Sequence, residues 1–340
     1  MSRTRRFGIG LYTGQRAGGA NYRDAVPLAV AAEEAGFDSF WVTEHHGLPD
    51  GYLPSPLTLL AALAPVTKRI DLGTGVLLAP LHHPLRIAED AAVVDLLSGG
   101  RLILGLGIGY AAHEYRSFGV DPATRGTRLE ALVRALRAAW TGEPFSSPEL
   151  GLDDVRVTPA PAHPVPVWLG GYAAPAVRRA GQIGDGHLVG RGEPLIVRDA
   201  SAHLAPVRQP SDPSFTMAVI VTCMLGGPGG GAASARLAFA RQQRVYESIQ
   251  AGRQVYAGLV PDPAGAGPEL AAGGIDAYVQ AEGDAEELAA TLSGLLDQID
   301  QWANVHLVLR VLFAEPDLDI QVRRLAALGD QVLPRLRGRD

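Results

Sequence analysis

Cysteine is almost missing from this 340-residue chain. Cys223 stands alone, so no intrachain disulfide forms and no cysteine metal cluster can be assembled, which fits a reducing cytoplasm. Lysine is equally scarce. Lys68 is the one lysine among 30 Lys and Arg residues, a compositional bias that carries no chemistry. Charge is thin, at 19% of residues, and the formal net value of -6 leaves no basic footprint for nucleic acid and disfavours an anionic membrane surface. No apolar run approaches the roughly 20 residues that a spanning helix needs. The basic start at Arg3, Arg5 and Arg6 resembles the opening of a signal peptide. Gly8, Gly10 and Gly14 interrupt the adjoining apolar stretch and no small-residue cleavage site is present, so it reads as a short tail.

What is present is apolar material, 47% of the chain, arranged as short runs alternating with longer segments of helical period. That alternation predicts a parallel sheet with crossover helices. Strands are expected at 7–12, 39–43, 70–78, 101–107, 165–170, 186–190, 215–225 and 306–313. Helices are expected at 22–35, 56–64, 84–97, 124–140, 174–183, 232–251, 285–302 and 317–333. Eight strands are the number that closes a (β/α)8 TIM barrel, a fold that runs from about 200 to over 400 residues as one unit. Residues 1–340 are therefore read as a single barrel domain. It carries insertions near 142–164, where Pro144, Pro148, Pro159, Pro161 and Pro164 forbid a long helix, and near 252–284. Gly36 and the pair Gly99 and Gly100 follow helices and read as left-handed caps.

Behind the second strand stand Glu44, His45 and His46. Side chains at the C-terminal ends of barrel strands face the mouth where barrel chemistry is carried out. Imidazole is suited to moving protons near neutral pH, and a neighbouring carboxylate orients it and raises its proton affinity. Two loop histidines in ordinary hydrogen bonds are the plainer alternative. The third strand is interrupted by Gly73 and Gly75, and the fourth ends in Gly105, Gly107, Gly109 and Tyr110. Glycine in a strand marks a bulge or the close approach of a flat ligand. A Rossmann dinucleotide site is not expected, because these glycines have the wrong spacing and follow the wrong strand. A metal site is not expected either. Adjacent strand residues point to opposite faces, so neither His45 with His46 nor His82 with His83 aims at one ion. Gly170, Gly171 and Tyr172 lead into a helix whose first amides suit a phosphate.

Four segments, in this order and spacing, carry a resemblance. The first runs from Ala32 to Asp38 and on to Trp41 through His46, and the second is Leu72–Val76 with His83–Asp90. The third is Asp95–Arg101 through Tyr110 to Glu114, Tyr115, Phe118 and Gly119. The last is Pro166–Gly171 through Arg179 to Gly186. Over roughly residues 7 to 190 the chain resembles the bacterial luciferase-like flavin-dependent oxidoreductases; beyond that the likeness is one of layout. The resemblance implies a barrel holding a reduced flavin or a deazaflavin at its C-terminal mouth. By it, His45 takes the place of the catalytic histidine and Glu44 that of the carboxylate beside the ring. Gly75 and Val76 match a non-proline cis peptide beneath the ring, Tyr110 flanks the ring, and Gly170, Gly171 and Tyr172 offer donors to the phosphate. Gly107 and Ile108 complete the expected cofactor contacts. One departure is notable: many flavin mononucleotide users have arginine where this chain has Ile108.

The function these features imply is a monooxygenase using reduced FMN and dioxygen on a small, largely apolar organic substrate. A separate flavin reductase would feed it, since no nicotinamide site is found. Two alternatives stay open. One is a reductase or dehydrogenase using coenzyme F420, favoured by Ile108, Glu114 and Arg125; the other is a non-catalytic flavin-binding partner subunit. The resemblance also implies a homodimer.

Overall fold

The computed structural model describes residues 4–11, 22–48, 51–227, 229–240, 279–313, 315 and 317–338. Among these, eight parallel strands close into a barrel: β1 (Thr4–Leu11), β2 (Ser39–Val42), β3 (Asp71–Thr74), β4 (Leu102–Gly107), β5 (Val167–Gly170), β6 (Gly186–Val189), β7 (Thr216–Leu225) and β8 (Asn304–Leu312). Each pairs with the next, and β8 lies between β7 and β1, which closes the ring. The expected strands fall on these within a few residues at either end, although Tyr12 lies outside the described residues. The third strand differs most. It stops at Thr74, the Gly75–Val76 peptide is cis, and pairing resumes at Leu77–Leu78 against Leu106 and Gly107.

The crossover helices relevant to the mouth are α1 (Ala25–Glu34), α2 (Pro56–Leu63), α3 (Pro84–Ser98), α4 (Ala112–Phe118), α5 (Arg125–Ala139) and α6 (Ala174–Ile183). Proline in the first turn of α2, α3 and α6 suits the helix start, where its missing N–H would be unbonded anyway. Gly99 caps α3 at φ 72°, the left-handed position that glycine takes without penalty. Helix α4 and the helix Pro194–Leu204 were not expected from the sequence. The proline-rich interval is a two-stranded antiparallel hairpin, Phe145–Ser147 with Leu152–Val155. The other irregular stretch lies outside the described residues up to 278, and its end returns as a short strand, Ala281–Gly283, beside Cys223–Leu225. Among the described residues, no helix is long and apolar enough to cross a membrane.

Period-two alternation sends one set of strand side chains to the helices and the other into the lumen. Phe40 and Val42 join the large outer core, while Trp41, Ile103, Trp168, Leu188, Ala218, Ile220 and Val308 fill the barrel. The indoles of Trp41 and Trp168 stack at 5.2 Å between ring centroids. Trp41 donates its Nε1–H to Ser39 Oγ at 2.6 Å, and that oxygen lies 2.7 Å from His306 Nε2. Indole only donates, so Ser39 Oγ accepts from Trp41 and shares a second hydrogen bond with His306 Nε2. Burial, helped by the charge of Arg6, holds the proton affinity of His306 well below the ordinary histidine value.

Glycines make room for this filling. A Cβ at Gly73 would sit 2.3–2.6 Å from the Trp41 ring. The flat group approaching that glycine is therefore the protein's own indole and not a ligand, which corrects the expectation for this position. At the C-terminal ends of β7 and β8, Arg324 is fully buried against Glu315 and also donates to the carbonyls of Gly230 and Val311 at 2.7 and 2.8 Å, and to Gly231 at 3.1 Å. Exposed pairs such as Arg86 with Asp90 contribute at most about 0.5 kcal/mol, whereas removing one partner of a buried pair costs about 3–5 kcal/mol.

Gly73→Ala should lower the unfolding free energy by about 1–3 kcal/mol through overpacking against Trp41, read as a lower urea midpoint with an unchanged slope. An unchanged midpoint would show that the indole has room to retreat.

Candidate active site

Beyond Val42 the chain leaves the barrel rim through Thr43, Glu44, His45 and His46. Backbone bonds set this exit, with Gly75 N–H donating to Val42 O at 2.7 Å and His45 N–H to Leu53 O at 3.1 Å. His45 and His46 then diverge, as neighbours on an extended chain must. His45 Nδ1 lies 2.9 Å from Glu114 Oε1, and the same oxygen accepts the backbone N–H of His46 at 2.9 Å. Glu114 comes from the first turn of α4 and is fully buried; its other oxygen, Oε2, is buried and has no protein partner. A carboxylate only accepts, so Nδ1 of His45 carries a proton and Nε2 is the basic nitrogen. That nitrogen lies 3.4 Å from the Tyr110 hydroxyl. The Tyr52 and Tyr110 rings meet the imidazole edge-on, at 5.0 and 5.6 Å between centroids.

Glu44 serves a different pair. Its Oε1 is 2.6 Å from both His46 Nε2 and His82 Nε2, and its Oε2 accepts the Leu78 N–H at 2.6 Å. The expectation that Glu44 orients His45 is therefore corrected: Glu114 does so. The cause is geometric, because Glu44 and His45 are adjacent and point apart, while α4 brings Glu114 back over the rim. Burial of Glu44 opposes its ionisation, but the hydrogen bonds from His46 and His82, the positive potential of His82 and the Leu78 amide outweigh it. The carboxyl is left below its ordinary value of 4.5. His82 was seen in the sequence only as half of an adjacent pair, and nothing there signalled that it meets His46.

The other expected residues lie on the same C-terminal rim. Val76 presses its methyl groups onto two glycines, since a Cβ at Gly107 would come within 2.4 Å of it and one at Gly170 within 3.0 Å. The Ile108 carbonyl is held by the Tyr115 hydroxyl. Gly171 lies against Ala176, and Tyr172, 48% exposed, sets its hydroxyl over Gly190. Arg179 is engaged by Glu130 at 2.6 Å.

These residues fit a flat redox ring. Strands that are otherwise buried become half-exposed at Gly75, Val76, Ile108, Gly109, Tyr110, Gly170 and Gly171, which is backbone laid open at the rim. Stacked indoles fill the lumen below, and His45 borders this rim through Tyr110.

Comparison with known proteins places the architecture. The family profile described as luciferase-like monooxygenase matches residues 5–305. The chain belongs to that family. Similar relatives of this luciferase-like chain include an F420-dependent glucose-6-phosphate dehydrogenase of Amycolatopsis mediterranei, 36% identical over 50% of this chain and 54% of its own length. The oxygenase component of a flavin-dependent trigonelline monooxygenase of Acinetobacter baylyi is 35% identical, over 36% of this chain and 34% of that one. The matched stretches thus span about half or less of these relatives. Among solved structures, monooxygenase RslO1 from Streptomyces bottropensis superposes with a TM-score of 0.76 at 21% identity, covering 97% of this chain and 99% of that one. An F420-dependent secondary alcohol dehydrogenase superposes at 0.74 with 18% identity, covering 99% and 100%. The relatives that this luciferase-like chain matches are named both as flavin-dependent and as F420-dependent enzymes.

The depressed Glu44 carboxyl contributes stability that is present above pH 4.5, its unfolded value, and lost as pH falls through its lower folded value. The difference in unfolding free energy between wild type and Glu44→Gln should therefore narrow as urea titrations move from about pH 6 to about pH 3. A constant difference would refute the ionised, stabilising Glu44.

Proposed function

We propose that this chain is the oxygenase of a two-part flavin monooxygenase, receiving reduced FMN from a separate reductase and acting on a small, largely apolar substrate. The observation that carries the proposal is the buried Glu114 fixing His45 with its Nε2 turned toward Tyr110 at the half-exposed rim. When bound, reduced FMN supplies the electrons with which dioxygen is activated. The protein's part is to hold and move a proton. Nε2 of His45 takes or returns it at the reacting edge, and Glu114 keeps the imidazole in the tautomer that leaves Nε2 basic. Val76 and the glycines beneath it offer an apolar floor that excludes water. Relatives named as monooxygenases support the reading, one of them named as an oxygenase component, and so does the uninterrupted Glu44-His45-His46 sequence.

A second reading, hydride transfer with coenzyme F420, is favoured by Ile108 in place of arginine and by the dehydrogenase relative. The two are separated by titrating the protein without cofactor under anaerobic conditions with each reduced cofactor and then admitting oxygen. Tighter binding of reduced FMN, with oxygen uptake that depends on substrate, is expected. Tight binding of reduced F420 alone would transfer the assignment to the dehydrogenase. His45→Ala should slow turnover by about 10²–10⁴-fold while the cofactor dissociation constant changes little. Unchanged turnover would remove His45 from the chemistry.

The chain acts as a homodimer in this proposal. Val93, Leu96 and Leu97 form a stripe on α3 that is 45, 41 and 51% exposed, at the i, i+3, i+4 spacing of one helix face. Leu97→Glu should shift sedimentation from dimer toward monomer with the circular dichroism spectrum retained. A wild-type chain that sediments as a monomer would end this part of the proposal.

A further inference from the structure

The Glu44, His46 and His82 cluster is more than the proton chemistry of His45 requires. Three potential ligand atoms, Glu44 Oε1, His46 Nε2 and His82 Nε2, all lie within 4.8 Å of one another, brought together from the exits of β2 and of the broken third strand. Both imidazoles aim the same nitrogen at the same oxygen, each at 2.6 Å. The carboxylate is fully buried and held on its other oxygen by the Leu78 amide, while the His46 and His82 side chains keep 12 and 25% exposure, so solvent reaches both rings. The ring of Phe118 stands beside it, 4.5 Å from His46 and 6.5 Å from His82 between centroids.

We infer that Glu44, His46 and His82 form a binding site for one divalent transition-metal ion of the Zn²⁺, Co²⁺ or Ni²⁺ kind. Two imidazoles and one carboxylate select borderline ions over Mg²⁺ and Ca²⁺, which want oxygen alone, and the absence of a thiolate disfavours soft ions. Ligand atoms about 2.0–2.2 Å from a shared ion stand roughly 3 Å or slightly more apart, so the imidazoles need only swing outward by about half an ångström to admit it. Each must pass its Nε2 proton to Nδ1 or to water, and the exposed sides of both rings permit this. Ligands supplied by solvent complete the coordination.

The bland competitor is a purely structural hydrogen-bond cluster, and the substitution His82→Gln separates the two. Glutamine's amide N–H can still donate to Glu44, which preserves a structural bond, but it is a poor ligand for these ions. The experiment is a titration of tag-free protein, without flavin, by Co²⁺ alone, followed through its visible absorption and by calorimetry, with Zn²⁺ added afterwards as a competitor. One Co²⁺ per chain, displaced by Zn²⁺, is expected for wild type and for a His83→Ala control. His46→Gln and His82→Gln should each weaken binding by more than about a hundredfold, beyond the loss caused by removing a mere supporting partner. Far-ultraviolet circular dichroism checks that each variant is folded, and wild type alone decides if a variant is not. Failure of wild type to bind at millimolar Co²⁺, or equal binding by the folded Gln variants, would overturn the site.

Discussion

The lumen of this barrel is full, and that constraint shapes everything above it. Two large indoles stack inside it, and Trp41 is pinned through Ser39 to His306. Glycine at position 73 lets the neighbouring strand lie close against the Trp41 ring. Side chains take up the described lumen, which leaves its rim as the open end of the barrel. There the same economy of side chains recurs, since Gly107 and Gly170 are bare so that Val76 can lie across them. The mouth is thus a consequence of packing below it as much as of the loops around it.

On that rim two buried carboxylates divide three histidines between them. Glu114 takes His45 and the backbone of His46, while Glu44 takes the side chains of His46 and His82. Burial makes each carboxylate costly to ionise unless it is fully bonded. Glu44 meets that demand with three donors, which is why its carboxyl stays acidic despite its surroundings. His46 is the shared member, with its side chain on one carboxylate and its amide on the other, so the two clusters cannot move independently.

Much of this was legible in the residues. The eight short apolar runs marked the barrel strands because a buried parallel strand is apolar on both faces. Glu44 and His45 were found because they follow such a run, and the cis bond at Gly75 and Val76 was expected from resemblance and is present. The partners of His45 were not legible as partners. Glu114 lies 69 positions away on a seven-residue helix too short to show a period. The meeting of His46 with His82 depends on where the third strand breaks, and reasoning confined to adjacent pairs does not reach across strands. Gly73 was misread for a related reason: a bare position in a strand signals that something flat comes close, but not whether that object belongs to the chain.

The buried pair of Arg324 and Glu315 binds the segment after β7, through Gly230 and Gly231, to the end of β8 at Val311. Two connections that leave the barrel separately are thereby riveted to one guanidinium. Lengthening either of them near the rivet would strand a charge in the interior, so this corner tolerates change only when both segments change together.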